Sequence, residues 1–109
     1  PGMHARKAMM AEQADAFVAL PGGFGTYEEL FEVITWAQLG IHAKPVGVLD
    51  VAGYFEPLVR LIDAGIAQGF LRAEHRALLV VARGPEELLE ALAWHELPTL
   101  PKWAGPEQA

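Results

Sequence analysis

Cysteine is absent from this sequence, and with it go a disulfide framework, a thiolate nucleophile and any cysteine-based metal site. No apolar run reaches the roughly 18 residues that a membrane-spanning helix needs. Positive charge is scarce: 8 Lys and Arg stand against 14 Asp and Glu, for a net charge of −6. That balance argues against the phosphate-neutralising surface of a nucleic-acid binder. It leaves room for one small anion, because a helix end and one or two cations hold a phosphate inside an acidic protein. Lysine is confined to Lys7, Lys44 and Lys102, in contexts that suggest no pyridoxal pocket, so Schiff-base decarboxylation is set aside. His4, His42, His75 and His95 show no metal-ligand spacing. Neither a metal nor another cofactor is expected.

What is present suits an ordered globular domain: 109 residues, 52% hydrophobic and 20% charged, enough for a real core. The mean hydropathy of +0.20 is slightly high for a soluble chain of this size. It points to buried strands and to a surface covered by another subunit, so a homodimer or higher homo-oligomer is expected. No signal-peptide pattern is visible, and the lack of cysteine fits a cytoplasmic location.

Along the chain, His4 to Ala14 reads as a helix rich in Ala and Met. Ala16 to Leu20 is a short apolar run, bounded by Asp15 and Pro21, of the kind that forms a parallel strand buried on both faces. Pro21-Gly22-Gly23-Phe24-Gly25 follows as a loop. Thr26 is expected to open a helix that runs to about Leu39, with Leu30, Ile34, Ala37 and Ile41 on one face and Gly40 as its stop. Pro45 to Asp50 is a second strand, followed by a turn around Gly53. A helix from about Phe55 to Ala67 carries Leu58, Leu61, Ile62 and Ile66 at helical spacing and ends at Gly69. Leu78 to Ala82 is a third strand, and Pro85-Glu86-Glu87 starts a last helix with Pro at its first position and acids in its first turn.

Strands alternating with helices imply right-handed crossovers and a parallel sheet covered on both faces. The fold class is therefore α/β, a Rossmann-like doubly wound sheet. Three strands make a small sheet and the sequence opens on Pro1-Gly2, so an amino-terminal part of the fold is expected to be missing from this chain. Residues 1–96 read as the carboxy-terminal part of a nucleotide-binding domain. Residues 97–109 read as a tail containing Pro98, Pro101 and Pro106.

The segment from Pro21 to Thr26 joins a strand to a helix through glycines, an arrangement that binds phosphate. Free amides of the first turn point outward, the helix dipole favours an anion, and glycines let it approach. Two better-known phosphate loops are excluded. No Gly-Lys-Ser/Thr is present, since no lysine lies between Lys7 and Lys44. A dinucleotide fingerprint starting at Gly23 would need glycine where Glu28 stands. A second reading stays open: Thr26-x-x-Glu29 also has the form of a capping box, in which Glu29 would only return to the Thr26 amide.

With their neighbours, these residues resemble the Lonely guy family, whose members are often labelled lysine decarboxylases. The resemblance rests on Met3-His4-Ala5-Arg6-Lys7, on Pro21 to Glu29, and on Thr35-Trp36-Ala37-Gln38-Leu39-Gly40. Lys44-Pro45-Val46-Gly47 and Gly53-Tyr54 continue it, so that it covers the chain from about Met3 to Leu92. It implies cleavage of the N-glycosidic bond of a nucleoside 5′-monophosphate, AMP or a cytokinin riboside monophosphate, to free base and ribose 5-phosphate. It also implies that Arg6 and Glu29 are the catalytic pair and that Lys7, Gly22, Gly23, Gly25 and Thr26 bind the substrate or its phosphate. The competing expectation is a module that binds a phosphate-bearing nucleotide, or molybdenum cofactor, without cleaving it.

The chemistry is consistent with those roles. Breaking a ribosyl–base bond develops oxocarbenium-like charge, which a nearby carboxylate stabilises while it orients or deprotonates water. Glu29 is expected one turn beyond the amides that would hold the phosphate, about a ribose away. Arg6 offers a planar fork for phosphate or ribose hydroxyls; its plain alternative is a solvated helix charge. Trp36, two turns after Glu29, is expected to line the pocket, an interface or the core.

Overall fold

A computed structural model describes residues 14–95. The helix expected over His4–Ala14, the side chains of Arg6 and Lys7, and the tail over 97–109 lie outside these residues. The described part contains, in order, β1 (Phe17–Ala19), α1 (Phe24–Gln38), β2 (Val46–Leu49), α2 (Glu56–Ala67), a short 3₁₀ helix (Ala73–Leu78), β3 (Leu79–Ala82) and α3 (Pro85–Trp94). The three strands form one parallel sheet in the order β1-β2-β3, with Phe17 opposite Val46 and Val46 opposite Leu79. All three expected strands are present, adjacent and parallel.

Because side chains alternate across a strand, β2 and β3 each feed two cores, whereas β1 gives Phe17 and Ala19 to one core and leaves Val18 46% exposed on its other face. Val46 and Val48, both fully buried, join Leu30, Phe55 and Leu79 on the face covered by α1 and α2. Leu49 and Val80 turn the other way, onto Ala82, Leu88 and Leu92, where α3 lies. Helices thus cover both faces, as expected. Gly47 allows the close approach of α3, since a Cβ there would stand 2.9 Å from Leu88 Cδ1 and 3.1 Å from Leu92 Cδ2. Truncating a buried side chain such as Phe55 would cost about 3–5 kcal/mol.

The helix ends follow from composition. The chain has neither serine nor asparagine, and the N-cap positions fall on Gly23, Phe55 and Gly84, none with a side-chain capping bond. Glycine closes both crossover helices. At Gly40 (φ +79°) the Ile41 amide reaches the Trp36 carbonyl at 2.8 Å, and at Gly69 (φ +85°) the Phe70 amide reaches the Gly65 carbonyl at 2.8 Å. Both are Schellman closures in which glycine takes the left-handed position without steric cost. His42 then ties the end of α1 to the approach of β2. Its Nε2–H donates to the Val33 carbonyl at 2.8 Å, while Nδ1 accepts the Lys44 amide at 3.0 Å.

Several expected details are corrected. The helix expected to open at Thr26 begins two residues earlier, at Phe24. The third strand starts at Leu79 because Leu78 closes the 3₁₀ helix. Leu61 and Ile41, expected on inward faces, are 62% and 61% exposed. Leu61 sits at the edge of the α2 stripe, and Ile41 lies beyond the helix, past the glycine that ends it.

Candidate functional site

The loop Pro21–Gly23 leaves the carboxyl end of β1, the end at which open α/β sheets bind ligands. The first bond of α1 runs from the Tyr27 amide to the Gly23 carbonyl at 3.1 Å. The amides of Phe24, Gly25 and Thr26 therefore precede the ladder and have no acceptor among the described residues. The first turn of α1 also holds no acidic side chain, whereas Glu56 stands in that of α2 and Glu86 and Glu87 in that of α3. The positive end of the α1 dipole is thus left without a carboxylate of its own.

The capping-box reading of Thr26 and Glu29 is overturned. With Gly23 at the N-cap, Thr26 is the third helical residue and makes no capping bond, so Glu29 lies in the second turn with no cap amide to reach. Thr26 and Glu29, three residues apart, share one helix face. Both line a cleft of about 250 Å³ together with Leu20, Pro21, Leu30 and Val33. The Glu29 side chain is exposed and has no hydrogen bond or ion pair among the described residues. Helical side chains lean toward the amino end, which inclines this carboxylate back over the first turn. Trp36 is half-buried and does not line the cleft.

The glycines of the loop serve different ends. A Cβ on Gly22 would lie 2.3 Å from Thr26 Oγ1 and 3.1 Å from Thr26 Cβ. A Cβ on Gly23 or Gly25 would meet nothing within 4 Å among the described residues. Among the described residues only Gly22 is required by packing; at Gly23 and Gly25 no described side chain or backbone fills the space that the missing Cβ leaves.

Sequence reasoning assigned no role to Tyr54 and Tyr27. The Tyr54 hydroxyl donates to the Gly22 carbonyl, and the Tyr27 hydroxyl joins it. Tyr54 reaches the loop from a tight turn after β2, closed by the Tyr54 amide on the Val51 carbonyl at 3.0 Å. Both central residues of the turn have positive φ, Ala52 at +54° and Gly53 at +76°, the pattern of a type I′ turn. Behind it, buried Asp50 accepts the Phe55 amide at 2.8 Å. The sequence signals for this arrangement were the turn expected around Gly53 and the Gly53-Tyr54 pair within the family resemblance; neither pointed to the bond with Gly22.

Two further hollows lie nearby. One of about 560 Å³ at the ends of β2 and β3 is lined by Asp50, Glu56 and Glu87 and by Arg60, Arg76 and Arg83, a balanced set of charges that favours neither ion. The other, about 520 Å³ and largely apolar, lies between α1 and α2 and includes Phe31, Tyr54 and Leu61. Among the described residues no three His, Asp or Glu side chains gather as a metal site. No described helix is long and apolar enough to cross a membrane.

A family model described as "Possible lysine decarboxylase" matches residues 1–92. A probable cytokinin riboside 5′-monophosphate phosphoribohydrolase of Oryza sativa subsp. japonica is 60% identical over 90 residues, which are 83% of this chain and 37% of the relative. A cytokinin riboside 5′-monophosphate phosphoribohydrolase of Arabidopsis thaliana is 56% identical over 94 residues, 86% of this chain and 43% of its own length. Another from Oryza sativa subsp. japonica is 56% identical over 88 residues, 81% of this chain and 36% of its own. The chain spans about two fifths of the length of these curated relatives.

Proposed function

This chain belongs to the Lonely guy family, whose matching model is described as possible lysine decarboxylase, and on that premise we propose that the protein is a nucleoside 5′-monophosphate phosphoribohydrolase. Water adds to C1′ of the ribose, the N-glycosidic bond breaks, and the base leaves with a proton, giving free base and ribose 5-phosphate. The substrate named for the relatives is a cytokinin riboside 5′-monophosphate; for this protein we propose that compound class and AMP.

The observation that carries the reading is the place of Glu29. Its carboxylate has no partner among the described residues, shares a cleft with Thr26, and follows by one turn the unpaired amides of Phe24, Gly25 and Thr26. In this proposal those amides and the Gly23 amide hold the phosphate, with Gly22, Gly25 and Thr26 shaping the cradle. Glu29 stabilises the oxocarbenium-like charge and directs the water. Arg6 clamps phosphate or ribose hydroxyls with its planar fork, and Lys7 adds a second cation. The lysine-decarboxylase description finds no support in Lys44, which stands in the loop before β2. A cytoplasmic homo-oligomer, most simply a two-fold dimer, is part of the same proposal. Phe24, Trp94 and Leu61, exposed by 90%, 83% and 62%, are suited to contacts between subunits, and sedimentation at micromolar concentration reads the assembly directly.

The test is release of free base and ribose 5-phosphate from AMP and from a cytokinin riboside 5′-monophosphate, followed by chromatography on the protein at its full natural length. Glu29→Gln keeps the side chain's shape and removes its charge. Turnover is expected to fall at least about a hundredfold, the scale of a lost general base, with the melting temperature unchanged because Glu29 caps nothing. Arg6→Lys is expected to be damaging as well. Near-normal turnover in Glu29→Gln would make Glu29 a solvated helix charge. Nucleotide binding without base release in the unmodified protein would make it a binding module.

A further inference from the structure

We propose that Tyr54 is a positioning residue of the phosphate loop: its hydroxyl, by holding the Gly22 carbonyl, aims the Gly23 amide at the incoming phosphate. The inference rests on the reading of that loop as the phosphate site. In a planar trans peptide the carbonyl and the following N–H point in opposite directions. The Gly22 carbonyl points to Tyr54, so the Gly23 N–H points away from Tyr54, out of the loop's other side. This peptide lies between two glycines, and glycine imposes the least restriction on backbone rotation of any residue. Without an anchor, the Gly22–Gly23 unit would sample more than one orientation, only one of which presents the amide.

The anchor is itself held. A phenol has one proton and accepts through its oxygen. With the Tyr54 proton spent on Gly22, the Tyr27 hydroxyl donates to the Tyr54 oxygen, which biases the Tyr54 proton toward the loop. The Tyr54 ring meets Phe55 edge to face, with centroids 5.2 Å apart and planes at 81°. Phe55 is 2% exposed and its amide is bonded to Asp50. The hydroxyl therefore stands on a base fixed in the core at the end of β2. Tyr54 lines the apolar hollow between α1 and α2 and is absent from the lining of the Thr26–Glu29 cleft. It acts through Gly22 rather than on the substrate.

When only a fraction of molecules is competent to bind, the apparent dissociation constant rises in inverse proportion to that fraction. Loss of one hydrogen bond of ordinary strength then corresponds to about a three- to tenfold weakening. Isothermal titration with ribose 5-phosphate, AMP and adenosine, on the unmodified protein and on Tyr54→Phe, reads this directly. Affinity for ribose 5-phosphate and AMP is expected to fall about three- to tenfold, while adenosine, which has no phosphate, is unaffected. In turnover the same variant raises KM for AMP and leaves kcat within about twofold. Tyr27→Phe, which only frees the Tyr54 hydroxyl, should show a smaller loss of the same selectivity.

Equal losses for AMP and adenosine, or an unchanged affinity for ribose 5-phosphate, would overturn the proposal. So would an unmodified protein that fails to bind ribose 5-phosphate. A protein that binds it, shows the selective loss in Tyr54→Phe and releases no base would retain the positioning role and lose only the hydrolase reading.

Discussion

Gly22 and Thr26 are in such close approach that a methyl group on the glycine would lie 2.3 Å from the threonine hydroxyl oxygen and 3.1 Å from its Cβ. Rotating the threonine side chain would move its oxygen away but not its Cβ, so a few tenths of an ångström must still be gained by a shift of the backbone. The strand-to-helix turn is therefore closed on itself at Gly22, whereas Gly23 and Gly25 are open among the described residues.

That difference separates the two kinds of glycine experimentally. Gly22→Ala should destabilise the fold by about 1–3 kcal/mol, the usual cost of overpacking. Gly25→Ala replaces a glycine inside a helix and should leave stability equal or raise it by up to about 1 kcal/mol. Its methyl group nevertheless occupies the approach to the free amides, so binding of ribose 5-phosphate should weaken. Thermal melts and a ribose 5-phosphate titration on both variants check this. A Gly25→Ala protein that binds as well as the original would show that no ligand comes close to that turn.

Ala52 is the only described residue other than glycine with positive φ, and a left-handed conformation costs an L-residue roughly 1–2 kcal/mol. Ala52→Gly gives back part of that gain as extra backbone entropy in the unfolded chain, leaving a net stabilisation of about 0.5–1 kcal/mol. Equilibrium denaturation should register it as a higher midpoint with an unchanged slope. Destabilisation would mean that the turn does not have this backbone in solution.

His75 gives the fold a dependence on acid. Burial lowers its affinity for a proton below the ordinary histidine value, and Arg72 nearby acts in the same direction against the weaker opposing effect of Glu74. Its Nδ1 accepts the Arg72 amide at 3.0 Å, a bond that protonation abolishes. The unfolded chain takes up this proton first as pH falls, so stability is fully present above the unfolded histidine value of about 6.5 and declines below it. Denaturation at pH 7.5 and 5.5 should show the loss. His75→Gln should be weaker at pH 7.5 and should show a smaller difference between the two. An undiminished difference in that variant would move the effect to another group.

The strands were legible because Phe17–Ala19, Val46–Leu49 and Leu79–Ala82 sit in apolar runs bounded by turn residues. The helix stops at Gly40 and Gly69 were legible because one residue type is suited to that backbone position. The 3₁₀ helix over Ala73–Leu78 was not: six residues with three apolar positions are too few to establish a period. Thr26 misled because the capping-box pattern does not reveal that the helix had already begun at Phe24, with Gly23, three residues upstream, as its N-cap. At the candidate site, Thr26 and Glu29 could be placed together from their spacing along a helix. The bond from Tyr54 to Gly22 spans 32 residues of sequence and depends on the register of β2 against β1, which no local pattern encodes.

β2 is the central strand of the sheet and, like β3, feeds both cores, with Val46 and Val48 on one side and Gly47 and Leu49 on the other. A slip of one residue would turn its buried valines outward and lodge them against α3, so its register is enforced from both faces. Its backbone bonds should open only with the whole domain, and its amides should be the last to exchange with deuterium. The turn carrying Tyr54 begins at Val51, two residues after the end of this strand. The loop with the most conformational freedom in its glycines is thus referenced to the part of the molecule with the least, and disturbance at a distant edge reaches it only by unfolding the centre.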